Sequence, residues 1–130
     1  MVSALETPDG RTFVYCVYAV GTEFVKIGIA NDIRERLRGL QTGCPYKLEL
    51  VAFKGYERRN DAIETESSLH LYFMDSSVHG EWFKHSDGSV KFIEAFADIE
   101  HVIRQAKQYL ESRRKVRREP SYIDKWKRGH

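Results

Sequence analysis

Residues 12–37 read TFVYCVYAVGTEFVKIGIANDIRERL, and this stretch decides the fold of the chain. Residues 12–20 alternate with a period of two and are rich in valine, tyrosine and phenylalanine, which predicts a β-strand. Residues 24–29 predict a second strand, and Gly21 with Thr22 predicts the turn that joins the two. The stretch therefore begins with a β-hairpin.

A helix is expected directly after the hairpin. Asp32 and Glu35 form a D-x-x-E capping box, in which side chains satisfy the free backbone groups at the start of a helix. Ile33, Leu37 and Leu40 then fall on one face of that helix. We predict that this face packs on the sheet and that the helix ends near residues 43–45.

Four further elements follow along the chain. They are a third strand over residues 48–54, a second helix from the capping box of Asp61 and Glu64 to about Met74, an extended piece over residues 80–83, and a long helix that Ser89 caps and Pro120 ends. The long helix is expected to bury Val90, Ile93, Phe96, Val102, Ile103, Ala106 and Leu110. This order predicts an α/β protein of the α+β type, with a small three-stranded antiparallel sheet flanked by helices.

Composition limits the class of protein. The chain has 130 residues, of which 42% are hydrophobic, and this is enough for one domain with a packed core. The two cysteines are too few for a disulfide framework and lack the spacing of a metal site. No apolar run approaches the ~18 residues of a membrane span, and the N-terminus lacks a signal pattern. We therefore expect a soluble, cytoplasmic protein, bacterial or, if a phage encodes it, in the host cell.

Charge divides the chain unevenly. Residues 104–130 hold ten Lys and Arg against three Asp and Glu, whereas residues 1–103 hold eleven against sixteen. A basic end suits a polyanion such as DNA, and the alternative is a solvated tail. We divide the chain into an N-terminal extension (1–11), a compact domain (12–97) and a basic C-terminal helix and tail (98–130). The residues of the basic end that we expect to bind nucleic acid are Arg113, Arg114, Lys115, Arg117 and Arg118.

Tyr15, Lys26 and Gly28 stand out in the hairpin because packing alone does not require them. With a two-residue turn, Tyr15 lies opposite Gly28, while Lys26 lies opposite Val17 on the same face as Tyr15. The glycine then leaves a hollow beside the phenol. A three-residue turn would instead place Lys26 on the other face. The plain alternative is a half-buried strand tyrosine with a solvated lysine.

Two charged side chains lie in or beside the apolar stripes of the predicted helices. Arg36 falls between Ile33 and Leu40, and an arginine at the edge of a core requires an anion. Glu66 interrupts an apolar stripe, and a buried carboxylate must be paired or bind a metal. The other members of that stripe are Ala62, Leu69 and Phe73. Two interpretations stay open, an Arg36–Glu66 ion pair and a functional site.

His70 and Glu81 are weaker candidates for the same site. His70 follows Glu66 by four residues and therefore lies one helical turn away, although a lone histidine on a helix is more often structural. Glu81 precedes Trp82 and Phe83, and we expect a packing role for these two aromatic residues.

In this order and spacing, the residues resemble the GIY-YIG nuclease superfamily. The hairpin motifs are Phe13-Val14-Tyr15 and Lys26-Ile27-Gly28, and Arg36 follows eight residues after the glycine. Residues 62–70 and 80–83 resemble the branch found in many phage proteins and in meiotically up-regulated gene 113-like proteins. The resemblance covers residues 12–96.

The chain departs from the pattern of the superfamily at four points. Phe13 and Lys26 stand where the two motifs have glycine and tyrosine, and the lysine is common in this branch. Leu40 stands where some members have a histidine, and the late asparagine of some members is not evident.

The resemblance implies a metal-dependent DNA endonuclease. It implies Tyr15, Lys26, Arg36 and Glu66 as catalytic residues, with one divalent metal, Mg²⁺ or Mn²⁺, held mainly by Glu66. The supporting residues would be Gly28, His70 and Glu81. DNA is the expected partner and RNA stays an alternative, whereas neither a membrane nor a small-molecule cofactor is expected.

General chemistry explains these residue types. Tyr15 can act as a base only if its pKa falls below about 10, and we expect the Lys26 cation to lower it. Arg36 would stabilise charge on the phosphoryl oxygens, and a metal on Glu66 would neutralise the leaving 3′ oxygen. Two alternatives stay open: a catalytically inactive nucleic-acid-binding module of the same fold, and a structural protein in which Arg36 and Glu66 only pair.

Overall fold

A computed structural model describes residues 11–118 of the chain and the side chains of residues 11–114. The predicted N-terminal extension and the end of the basic tail lie almost wholly outside the described residues. In chain order the described elements are β1 (Thr12–Ala19), β2 (Phe24–Ala30), α1 (Ile33–Thr42), β3 (Leu48–Tyr56), α2 (Arg59–Tyr72), a 3₁₀ turn (Met74–Ser76), β4 (Ser77–His79), β5 (Trp82–Lys84), α3 (Val90–Ala97) and α4 (Ile99–Arg118).

The sheet has five antiparallel strands in the order β3-β1-β2-β5-β4. The expectation of a mixed α/β fold with an antiparallel sheet is confirmed, but the expectation of three strands is wrong. The sequence predicted one extended piece over residues 80–83 and left its pairing open. That piece is part of a short hairpin of two three-residue strands, β4 and β5, which extends the sheet beyond β2. Strands this short carry almost no periodic signal.

The register of the first hairpin agrees with the two-residue-turn prediction. Tyr15 pairs with Gly28, and Val17 pairs with Lys26, so Lys26 and Tyr15 lie on the same face of the sheet. The predicted pair of turn residues is wrong, because a 3.1 Å hydrogen bond from the Thr22 amide to the Ala19 carbonyl closes the turn around Val20 and Gly21 rather than Gly21 and Thr22. Gly21 takes a φ of +83° within this turn, a value that glycine adopts without steric cost.

Each face of the sheet has its own hydrophobic core. One face packs on α2, α3 and α4 through the larger cluster, which includes Val14, Ile27, Leu69, Phe83 and Phe92. The other face carries the smaller cluster, in which Tyr15 and Val17 pack near Ile33 of α1. β1 is therefore buried on both sides as a continuous run, so the strand is confirmed but the period-two alternation expected of it is wrong.

The sequence predicted the start of α1 correctly and the start of α2 incorrectly. The Asp32 carboxylate accepts a hydrogen bond from the Glu35 amide at 3.1 Å, so the predicted cap of α1 is confirmed. The predicted cap of α2 is wrong, because this helix begins at Arg59 and has no side-chain cap. Asp61 lies within its first turn, where a negative charge still favours the helix dipole.

The predicted single C-terminal helix is two helices. The backbone leaves the helical region at Asp98, whose carboxylate accepts a hydrogen bond from the His101 amide at 3.3 Å and thereby caps α4. The break changes which residues are buried: α3 packs through Phe92 and Ala95, whereas Val90 and Ile93 are 53% and 41% exposed. Ser89 forms no side-chain cap. Leu110, also expected in the buried stripe, is 52% exposed.

None of the helices in residues 11–118 combines the length and the apolar composition that crossing a membrane requires.

Candidate functional site

The candidate site lies where the edge of β2 is left without a partner strand. β5 pairs with Phe24–Lys26 only. Beyond that point the Ile27 amide donates to the Glu81 carbonyl at 3.1 Å, and the Ile27 carbonyl accepts from Nε2 of His70 at 2.9 Å. The short β5 therefore opens a gap beside Gly28 that side chains from other elements can reach.

Gly28 forms the floor of this gap. A Cβ atom built on Gly28 would lie 2.7 Å from the Tyr15 hydroxyl oxygen and 2.9 Å from Oε2 of Glu81. Real Cβ contacts are not this short, so the absence of a side chain at Gly28 allows the phenol and the carboxylate to approach one another. The hollow that the hairpin register predicted beside Tyr15 is confirmed.

Tyr15 is fully buried at the centre of the site. Its hydroxyl makes no hydrogen bond of good geometry to any described residue, although buried polar groups are nearly always bonded. Burial raises the pKa of Tyr15 above its usual value, and the Glu81 and Glu66 carboxylates raise it further. The Arg36 guanidinium lowers the pKa of Tyr15 through its charge and a hydrogen-bond approach to the hydroxyl, but the two effects do not outweigh burial.

Lys26 does not act on Tyr15 as the sequence predicted. Its ammonium group donates to Oε2 of Glu81 at 2.6 Å, and the side chain is 12% exposed. The expectation that Lys26 lowers the pKa of Tyr15 is wrong, because Glu81 binds the lysine charge and the Tyr15 pKa is raised. Glu81, only a supporting candidate in the sequence, thus contacts Lys26 and lies beside Tyr15.

Glu66 of α2 is close enough to Tyr15 and Glu81 for their charges to influence one another. Its stripe on that helix is buried as predicted, with Ala62, Leu69 and Phe73 all in the core. Oε2 of Glu66 is buried and has no hydrogen-bond partner among the described residues. Burial raises the pKa of the Glu66 carboxyl, and the Glu81 charge adds to this effect.

Three basic groups oppose the rise in the Glu66 pKa. They are His70, Lys26 and Arg59. His70 is held by its bond to Ile27 and by an edge contact with the Phe83 ring, whose centroid is 5.0 Å away. Sequence reasoning missed Arg59, although it lies seven residues before Glu66 and hence on the same side of α2.

Arg36 is exposed rather than lodged at the edge of the core. The expectation of an arginine at the edge of the core is therefore wrong for the residue as a whole, although its guanidinium approaches the buried Tyr15 hydroxyl. No ion pair joins Arg36 to Glu66 within the part of the chain that the structure describes. The interpretation in which these two residues only pair with each other loses its basis, and Arg36 instead acts electrostatically on Tyr15.

The site offers a limited set of ligands to a divalent metal. Among residues 11–118, no group of three or more His, Cys, Asp or Glu residues is arranged to hold a metal ion. The unpartnered Oε2 of Glu66 nevertheless provides one carboxylate oxygen, and the charge of Glu81 lies near it. This set fits a hard cation such as Mg²⁺, which takes one or two protein carboxylates and completes its shell with water and substrate phosphate.

The basic end is described only in part. Arg113 lies over the ring of Tyr109, 5.9 Å from its centroid, and Arg114 pairs with Glu111 at 3.5 Å on the exposed side of α4. The side chains of Lys115, Arg117 and Arg118 lie outside the described residues. Nucleic-acid binding by this segment therefore stays a prediction.

Comparison with known proteins gives one match. No significant match to the chain was found among curated proteins or among solved structures. The family model of the T5orf172 domain matches residues 12–115, which include every element from β1 into α4 and all of the candidate site. The chain therefore belongs to the T5orf172 domain family, a phage-associated family whose members occur in nuclease-related proteins.

Proposed function

We propose that the protein is a metal-dependent endonuclease that hydrolyses phosphodiester bonds of DNA, with a site of the GIY-YIG type. The observation that carries the proposal is that Tyr15 and Glu66, which come from different elements, are close enough for the Glu66 charge to act on Tyr15, while Glu81 beside Gly28 acts on both. Each has a buried polar oxygen without a hydrogen bond of good geometry among the described residues. Such groups reduce stability, so a function that uses them is the best reason for their presence.

Each side chain has a role in this proposal. In its ionised form, Tyr15 binds the attacking water through the phenolate oxygen and accepts one proton from it, while the water oxygen bonds to phosphorus and the bond from phosphorus to the leaving 3′ oxygen breaks. Lys26 exchanges its bond to Glu81 for a phosphate oxygen of the substrate. Arg36, exposed and close enough to influence Tyr15, stabilises the charge that grows on the phosphoryl oxygens.

Glu66 would hold the divalent metal through the oxygen that has no protein partner. A bound Mg²⁺ or Mn²⁺ supplies positive charge for the leaving 3′ oxygen and orients the phosphate. His70 lies one helical turn after Glu66 on α2 and donates to the Ile27 carbonyl of β2. This bond holds that part of α2 against β2 and so helps to position Glu66.

A second candidate function is a nucleic-acid-binding module of the same family that lacks turnover. The buried Tyr15 hydroxyl and its raised pKa favour this candidate, because a tyrosine that stays protonated is a weak base. Binding would then depend on Lys26, Arg36 and the basic end of α4.

A plasmid assay separates the two candidates. We expect the purified protein to nick supercoiled plasmid in Mg²⁺ or Mn²⁺ and to stop when EDTA removes the metal. Binding of the same plasmid that weakens as salt rises, without any nicking in either metal, would favour the inactive module and contradict the nuclease.

A further inference from the structure

The ladder between β2 and β5 carries two aromatic rings and two lysines on the face that holds Tyr15. Phe24 pairs with Lys84, and Lys26 pairs with Trp82. Since paired residues of antiparallel strands point the same way, all four side chains lie on one face, which we call the β2–β5 platform. The register that puts Lys26 beside Tyr15 puts the whole platform beside the candidate site.

Packing does not account for the two rings. Phe24 and Trp82 are only partly buried, and neither belongs to the two core clusters of the sheet. The packing role that the sequence suggested holds for Phe83, which is 1% exposed, but Trp82 points to the opposite face. The helix on that face, α1, contacts β3, which lies two strands away from β2.

Each ring has a lysine beside it. The Lys26 ammonium lies 6.0 Å from the centroid of the Trp82 ring, and the Lys84 ammonium lies 5.8 Å from that of Phe24. Glutamates also contact both lysines: Glu81 binds Lys26, and Glu23 lies 3.7 Å from Lys84. Lys84 and Glu23 are 55% and 48% exposed, so a phosphate can compete for Lys84 at little cost, whereas Lys26 is 12% exposed and more firmly bound.

We propose, on the basis of the proposed function, that the β2–β5 platform binds unpaired nucleotides next to the bond that is cut. Alternating rings and cations match the alternating bases and phosphates of a single strand. Bases in a duplex are stacked on each other and offer only their edges to a protein, whereas unpaired bases offer a face to an aromatic ring. The substrate class is therefore DNA with a single-stranded segment, such as a flap, an overhang or a bubble, rather than uniform duplex.

The test measures binding in EDTA, so that no cleavage occurs. Fluorescence anisotropy compares a labelled oligothymidylate with a duplex of the same length, for wild type and for platform variants. We expect Trp82→Ala to weaken binding of the single strand about tenfold and to leave duplex binding nearly unchanged. Trp82→Phe keeps a ring and is expected to bind close to wild type, which controls for misfolding of the alanine variant.

Two lysine variants test the charged part of the platform. Lys84→Ala is expected to weaken single-strand binding and to reduce its salt dependence by about one phosphate contact. The matched control is Lys54→Ala, because Lys54 lies 5.4 Å from the centroid of the Tyr56 ring but on the other face of the sheet. This control should bind like wild type.

Two results would contradict the proposal that the platform binds unpaired nucleotides. One is wild-type affinity of Trp82→Ala for the single strand, and the other is an equal loss for single strand and duplex. Neither result bears on the nuclease proposal, which is measured by plasmid nicking in the presence of metal. Conversely, a protein that binds the single strand through Trp82 but never nicks DNA would support the platform proposal and contradict the nuclease proposal.

Discussion

At the scale of single residues, the site is marked by polar atoms that the protein leaves unsatisfied. The Tyr15 hydroxyl and Oε2 of Glu66 are both buried without a hydrogen-bond partner among the described residues. An unsatisfied buried group of this kind costs about 1–3 kcal/mol. The two groups therefore destabilise the fold, as expected where a site must keep atoms free for a substrate.

This cost predicts that removing the Tyr15 hydroxyl stabilises the protein. Tyr15→Phe is expected to raise the free energy of unfolding by about 1 kcal/mol, because the buried hydroxyl has no hydrogen bond of good geometry and its approach to the exposed Arg36 returns little. Tyr18→Phe is the matched control, since the Tyr18 hydroxyl donates to the Thr22 carbonyl at 2.8 Å and its loss should destabilise by about 1 kcal/mol. Urea denaturation of the three proteins measures both changes, and a large destabilisation by Tyr15→Phe would contradict the account.

The raised pKa of Tyr15 predicts how cleavage depends on pH. If Tyr15 accepts the proton, the rate should rise about tenfold per pH unit between about pH 6 and about pH 9, because the ionised fraction does so below the pKa. Glu81→Gln removes a negative charge that raises this pKa and frees Lys26, whereas Arg36 and Glu66 stay in place. The profile should then shift to lower pH. A cleavage rate that does not change with pH, or a pH profile of Glu81→Gln identical to that of wild type, would exclude Tyr15 as the base.

At the scale of elements, short strands and helix caps position the site. β5 ends its pairing at Lys26 and so exposes the edge of β2 at Gly28, while α1 and α2 bring Arg36 and Glu66 toward it. The Asp32 cap fixes where α1 begins, and Arg36 lies in the first turn after it. The Asp32 cap and the buried Ile33 therefore both help to fix the position of Arg36.

The two predicted capping residues should differ in effect. Asp32→Ala is expected to lower the free energy of unfolding by about 1 kcal/mol, because it removes the bond to the Glu35 amide. Asp61→Ala should cost at most a few tenths of a kcal/mol, since Asp61 caps nothing and only favours the dipole of α2. Thermal denaturation of both variants makes the comparison, and equal losses would contradict the assignment of the caps.

At the scale of the whole molecule, the parts that the sequence predicted are those with a local signal. The strand β1 and the Tyr15–Gly28 register follow from the β-forming residues of the hairpin and the position of its turn, and the stripe around Glu66 follows from helical period. The break between α3 and α4 was not predicted, because it is marked by a single side-chain hydrogen bond, from the His101 amide to the Asp98 carboxylate. The Lys26–Glu81 pair joins residues 55 positions apart and depends on a hairpin too short to predict, so the error about the Tyr15 pKa had the same origin.

The central claim is that Glu66 and the groups around it cut phosphodiester bonds, and plasmid nicking by matched glutamate variants tests it most directly. Glu66→Gln keeps the size of the side chain but removes the charge that would hold a metal, whereas Glu64→Gln changes an exposed residue of the same helix that pairs with Lys107 at 3.8 Å. In Mg²⁺, we expect Glu64→Gln to nick like wild type and Glu66→Gln to lose at least about a hundredfold in rate. Equal nicking by Glu66→Gln and wild type would contradict the account.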